Sequence, residues 1–268
     1  MNTARGATRT VPSIFSPSQQ LSRPRPVQPI RPVPGQRLLR HSSRQQARLV
    51  ASAMPETTEI FGQRPVYHYF NLPHVIARGG TLRLFLYLHG VEFDEGPKID
   101  LSDWAVEKKK LMDSGVNPAG HLPYLEVGER KLTGHVTIMR YVERKLGLYG
   151  QDPESDFTVD EVADEYTTWR ASWADAAFGG SEEVAEKYKT TRDAQYKIFE
   201  CYYARRSNKA TPFLLGGDKP RFADVVMFAI MHDDQTIYGE WDYSDYPCLE
   251  ALFTTMKGLP VTSKVLPK

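Results

Sequence analysis

The sequence predicts an α/β domain followed by an all-helical domain, behind a disordered N-terminal extension. Three observations carry this. Between Pro65 and Gly150 short β-rich runs alternate with segments of helical period. After Gly150 no strand pattern recurs, and apolar residues return only at intervals of three to four. The first 55 residues hold nine arginines and no Asp, Glu or Lys. A chain of 268 residues has length for two domains, and the boundaries fall at 1–55, 64–149 and 157–268.

The extension is Arg-, Ser-, Gln- and Pro-rich and lacks a hydrophobic h-region, the composition of an organellar transit peptide. Pro24, Pro26, Pro29, Pro32 and Pro34 prevent an amphipathic helix across that stretch. Val50-Ala51-Ser52-Ala53 is similar to a stromal processing site, so a chloroplast is expected. Arg37 to Val50 could form an amphipathic helix, which keeps the mitochondrion as the alternative. A basic arm that binds nucleic acid or a partner is the third reading. Without its nine arginines the chain keeps 25 basic against 33 acidic side chains. That balance offers no general attraction to nucleic acid or to an anionic membrane. No apolar run approaches the roughly 18 residues that span a bilayer, so the chain reads as soluble. Cys201 and Cys248 read as reduced thiols outside any CxxC context, and no Cys/His set has zinc-ligand spacing, so no metal is expected.

Val66 to Phe70 is a β-rich run broken by Asn71-Leu72-Pro73-His74. Thr81 to Leu88 has helical spacing and Gly90 as a C-cap. Phe93 to Ile99 reads as a second strand, and Asp103 to Met112 as a polar, Lys-rich helix. Leu122–Val127, Gly128-Glu129 and Lys131-Leu132 read as a hairpin, and His135 to Leu146 as a helix stopped at Gly147. The order is βαβαββα. A linker at Gly150–Asp156 follows. Val159, Val162, Tyr166, Trp169, Trp173 and Ala177 then share one helix face. Further helices are expected over Glu182–Arg206, Phe222–Ile237 and Cys248–Gly258.

Several motifs occur in one order along this framework. They are Tyr69-Phe70-Asn71, Trp104 with Lys108 one turn on, Gly120-His121-Leu122-Pro123, Phe213 to Asp218 with Ala223-Asp224, and Pro247 to Leu252. With them, about 200 residues from Val66 onward resemble a glutathione transferase of the cytosolic type, most closely its sigma-like classes. The resemblance implies a thioredoxin-like domain that binds glutathione, an all-α helical-bundle domain behind it, and a homodimer.

It also implies roles. A free cysteine thiol has a pKa of roughly 8.5, so little of it is thiolate at neutral pH, and a phenol donating to the sulfur favours the charged form. Tyr69 is the candidate donor, its alternative being an aromatic that packs on the sheet. Pro123 corresponds to a cis-proline that turns the Leu122 backbone toward the cysteinyl part of glutathione, like an added strand. Trp104 and Lys108, with His121 nearby, would hold the glycyl end; a solvated charged face is the alternative. Arg78 falls where the family often has an arginine near the sulfur, and Arg83 is a surface charge nearby. The family's acidic or amide residue plus serine at a helix start reads Gly134-His135 here. The backbone N–H and the helix dipole remain, and the His135 ring could donate in place of the hydroxyl. Asp160 matches an acidic residue that reaches the neighbouring subunit's γ-glutamyl amine. Arg221 stands where a Ser or Thr opens the capping box closed by Asp224, an expected cost of about 0.5–2 kcal/mol. Phe70, Leu72, Tyr166, Trp169 and Trp173 are candidates for the second pocket, and His74 for an acid or base.

The expected function is a glutathione transferase-like enzyme with glutathione as co-substrate, no metal and no nucleotide. It would add the thiol to a small hydrophobic electrophile, or use it to isomerise a substrate or reduce a peroxide. The rival is a non-catalytic binding or assembly subunit of an organellar complex, which the Gly134-His135 pair favours.

Overall fold

β-branched and aromatic runs supply the strands and apolar residues at helical spacing the helices, as a computed structural model shows for residues 57–115, 117–205 and 210–266. The extension and its transit-peptide reading lie outside the described residues. The elements are α1 (Thr57–Phe61), β1 (Val66–His68), α2 (Ala77–Leu88), β2 (Asp94–Glu95), α3 (Trp104–Asp113), β3 (Tyr124–Val127), β4 (Arg130–Thr133) and α4 (His135–Lys145). The strands form one sheet in the order β2-β1-β3-β4, with β1 parallel to β2 and the other pairs antiparallel. Tyr67 and Leu125, opposite one another across β1 and β3, are buried in its centre.

Two elements differ from the sequence expectation. The second strand is confined to Asp94–Glu95, and beyond it only a bridge between Phe70 and Ile99 continues the pairing. Gly96 and Pro97 lie between, and proline cannot donate to the ladder. Helix α2 begins four residues before Thr81. Its first turn has no local cap; instead Asp233, more than 150 positions away, accepts hydrogen bonds from the N–H groups of Ile76 at 2.6 Å and Ala77 at 2.7 Å.

The second half is helical: α5 (Pro153–Ala174), a π-helical turn (Asp175–Gly179), α6 (Glu182–Ala204), α7 (Phe222–Tyr238) and α8 (Pro247–Gly258). Asp152 caps α5 by accepting from Glu154 and Ser155, with Pro153 at the first helical position. Helix α7 is buried on every side from Phe222 to Met231, and a helix apolar all round belongs in an interior. Helices α2, α4, α5 and α8 pack against it.

The cap of α7 corrects the expected cost at Arg221. A guanidinium has no acceptor, so it cannot replace a serine. The fully buried Glu143 of α4 takes over: one carboxylate oxygen accepts the Phe222 N–H at 2.7 Å, and the other pairs with the Arg221 guanidinium at 2.6 and 2.8 Å. Asp224 still accepts the Arg221 N–H at 2.8 Å. The missing hydroxyl is compensated from another helix.

Candidate active site

Strand register brings three separate segments to one end of the sheet. His68 pairs with Tyr124, and Tyr124 with Thr133. The next residue on β1 is Tyr69, the one before β3 is Pro123, and the one after β4 is Gly134. The Leu122-Pro123 bond is cis.

Tyr69 lies just past the end of β1, and its ring rests on the start of α2. A Cβ added at Gly79 would fall far inside contact distance of three Tyr69 ring carbons, so the ring has its place only because that residue is glycine. The Gly79 N–H lies by the phenol. Burial raises the phenol to about 12, against the opposing pull of that N–H and of the Arg170 and Arg78 guanidiniums. Tyr69 is therefore a neutral donor at physiological pH.

A cleft of about 470 Å³ opens beside it, between the loop after β1 and the end of α5. Tyr69, Phe70, Leu72, Arg78, Trp104, Arg170, Trp173 and Phe178 line it. The Trp104 ring meets Phe70 edge-on at 4.9 Å. Lys108 is exposed and its stem lies against Gly120, beside His121. The buried Asn117 holds that turn: its amide nitrogen donates to the His121 carbonyl at 2.9 Å, and its amide oxygen accepts the His121 N–H at 3.3 Å. Tyr69, Arg78 and Trp104 thus share one cleft, and Lys108 joins the turn that leads into Leu122-Pro123.

His135 and Asp160 are both engaged within the chain. The His135 ring is buried, and its Nε2 lies 3.0 Å from the Tyr166 hydroxyl. The Arg170 Nε donates to the same phenol oxygen at 3.2 Å. Burial, reinforced by Arg78 and Arg170, lowers the imidazole to about 3 and keeps it neutral. The ring that was to replace a serine hydroxyl is thus turned to the helical domain. Both oxygens of Asp160 are engaged within the chain, one by Arg140 at 2.8 Å and the other by the Tyr149 hydroxyl at 2.6 Å. Gly134, at φ +81, supplies the turn into α4 and no side-chain cap.

No family profile matches the chain. Among curated proteins it is 31% identical over 122 residues to "Glutathione S-transferase 2" of Manduca sexta, covering 46% of this chain and 54% of that one. It is 29% identical over 164 residues to "Glutathione S-transferase" of Anopheles gambiae, covering 61% and 76%. Human "Glutathione S-transferase Mu 3" is 26% identical over 166 residues, covering 62% and 69%. These matches support a glutathione transferase assignment. The chain's match spans about half the length of the moth relative and about three quarters of the mosquito one. Glutathione transferases of differently named classes match, so the likeness supports the family and not a sigma-like class. Among solved structures, prostaglandin synthase D of Nilaparvata lugens superposes with a TM-score of 0.60 at 21% identity, covering 75% of this chain and 96% of that one. The glutathione S-transferase of Ascaris lumbricoides gives 0.59 at 23%, covering 75% and 95%. At those identities they show the glutathione transferase fold alone.

Phe70, Leu72 and Trp173 line the cleft. Trp169 is core, its indole N–H donating to Tyr188 at 2.7 Å, and Tyr166 is buried under His135. His74 is exposed, and Arg83 pairs with Glu95 at 2.9 Å while stacking on Tyr67. Reading by residue type passed over Arg170, Asn117 and Gly79. Arg170 had a signal, because it stands four residues after Tyr166 and three before Trp173, on a face otherwise apolar. Asn117 and Gly79 had none, since each depends on a partner that folding supplies.

Proposed function

We propose that this chain activates the thiol of glutathione through Tyr69 and adds it to a small electrophile held in the cleft between β1 and α5. The carrying observation is the neutral Tyr69 phenol, packed on Gly79, in a cleft that Arg78 and Trp104 also line. A hydroxyl donor and nearby guanidinium charge both favour a thiolate over a thiol, and each unit of thiol pKa corresponds to about 1.4 kcal/mol. The cysteinyl backbone would lie along Leu122, and Trp104 and Lys108 would hold the glycyl end. For the γ-glutamyl end the α4 backbone N–H groups stand in for the missing hydroxyl, with the N-terminal dipole behind them.

A second reading, a non-catalytic binding or assembly subunit, is favoured by the engagement of His135 and Asp160 inside the chain. We further read the chain as a homodimer, supported by Phe157, which is 65% exposed on α5, and as a chloroplast protein, the mitochondrion being the alternative, supported by the acid-free arginine-rich extension.

Glutathione binding by calorimetry and conjugation of benzyl chloride, for wild type beside Tyr69→Phe, test the proposal. The expected result is binding by both and a rise of at least about one unit in the pKa of the bound thiol in the variant, with a matching tenfold loss of rate at pH 6.5. No binding and no rate above background would refute the enzyme. Equal rates would remove only the role of Tyr69.

A further inference from the structure

The residues that lead into β1 are tied to the fold at several points. Helix α1 has five residues, far fewer than the roughly 12 an isolated helix needs in water, so its packing holds it. Ile60 is 3% exposed and belongs to the hydrophobic core. The Thr57 hydroxyl accepts the Glu92 N–H at 2.7 Å, and the Tyr141 hydroxyl of α4 donates to the Ile60 carbonyl at 3.4 Å. The Phe61 and Tyr141 rings lie 6.0 Å apart. Gln63 then rests against Gly128 in the turn between β3 and β4. Arg64 pairs with Glu92 at 3.3 Å and Asp94 at 2.9 Å, and donates to the Phe93 carbonyl at 3.3 Å. These contacts converge on the edge of the sheet, where β2 is two residues long and pairs with β1 alone. The stretch that follows β2 backs the site: the Gly96 N–H donates to the Tyr67 carbonyl at 2.9 Å, and the Ile99 N–H to the Tyr69 carbonyl at 3.3 Å.

We propose that Thr57–Arg64 is a strap of the mature fold, and that proteolytic trimming of the arginine-rich extension stops on the N-terminal side of Thr57. The trimming rests on reading the extension as a transit peptide; the strap does not. The cut is hydrolysis of one peptide bond by an endopeptidase, water supplying the hydroxyl of the new carboxyl end and the hydrogen of the new amine. A protease acts on a folded segment only in the fraction of molecules where that segment has opened. Opening the strap takes Ile60 out of the core and the Thr57 oxygen off the Glu92 N–H, whereas a cut before Thr57 disturbs neither. Met54-Pro55-Glu56 separates the stretch similar to a processing site, Val50-Ala51-Ser52-Ala53, from Thr57, so a cut after Ala53 leaves the strap whole.

Endoproteinase Glu-C reads the boundary on the full chain, because Glu56 and Glu59 are the acidic residues of the first 64. Cleavage after Glu56 spares the strap, cleavage after Glu59 divides it, and intact mass separates the products. Rates are divided by those of a synthetic peptide of residues 50–64, which corrects for sequence preference. In the folded chain Glu59 is expected to be cut about tenfold more slowly than Glu56. Tyr141→Ala removes two contacts of α1, leaves both cleavage sequences unchanged, and is expected to shrink that ratio about threefold. Equal corrected rates at the two bonds in wild type overturn the strap, and that measurement needs no variant to fold. N-terminal sequencing of the product formed from the full chain in chloroplast stromal and mitochondrial matrix extracts tests the trimming. A first residue at or before Thr57 is expected, and one beyond Thr57 overturns the limit. A chain left untrimmed by both extracts would instead overturn the transit-peptide reading and leave the strap standing.

Discussion

Gly79→Ala is a one-methyl perturbation aimed at the Tyr69 phenol. Apolar heavy atoms rest about 3.5–4.0 Å apart, and the new methyl would lie so close to the Tyr69 ring that the ring must retreat by roughly 1–1.5 Å. It cannot tilt freely, because Phe70 meets it edge-on at 5.4 Å. The hydroxyl would be carried from its place beside Gly79 and away from the sulfur it is proposed to serve. Displacement by about 1 Å commonly costs on the order of 10²-fold in rate. Alanine also favours a helix interior over glycine by about 1 kcal/mol, so α2 itself would not be weakened by the change of propensity. The pKa of the bound glutathione thiol, followed by thiolate absorbance, and kcat/KM for benzyl chloride give the readout, with urea unfolding as the control for folding. A folded variant with an unshifted thiol pKa and an unchanged rate would refute the placement of Tyr69 as thiol donor.

Two further outcomes follow from the buried charges. Glu143→Ala removes the carboxylate that caps α7 and pairs with Arg221, and is expected to lower the unfolding free energy by about 3–5 kcal/mol in urea titration; a loss below 1 kcal/mol would show that water replaces it. Stability is also expected to fall in mild acid. Burial lowers His135 to about 3 and His89 to about 4, with Arg78 and Arg170 adding to the first and Arg221 and Lys219 to the second. Unfolded, both titrate near 6.5. Below that pH the unfolded chain binds more protons, so the stability present at pH 7.5 is lost as pH falls toward the folded values. At pH 5.5 the loss is about 1.4 kcal/mol for each ring. Asp224, which burial raises to about 6, returns roughly 0.8 kcal/mol over the same range, so equal unfolding free energies at pH 7.5 and 5.5 would still contradict the two burials.

The parts of the fold visible in the sequence are those written in local period and punctuation. The helix ending before Gly90, the hairpin turning at Gly128-Glu129 and the all-round apolar α7 each state their conformation within a dozen residues. Of the site, Tyr69, Arg78, Trp104 and the Leu122-Pro123 pair were reached through resemblance, and the sheet end gathers them. The roles of His135 and Asp160 could not be read the same way. The first depends on whether its ring faces a ligand or Tyr166, and the second on whether Arg140 and Tyr149 have already taken its oxygens.

The amino-acid order alone determined a mixed domain followed by helices, the succession of their elements and the type of residue at the thiol site, because hydrophobic period and turn residues act over a few positions. Tertiary structure decided what those residues can do. The cap of α2 comes from Asp233, that of α7 from Glu143, and the buried Arg170 is held between Tyr166 and Asp233. A charged side chain is tolerated in an interior only when its partners are in place, and most of those partners stand 60 to 160 positions away. No local pattern can announce them, and they leave a neutral histidine turned to Tyr166.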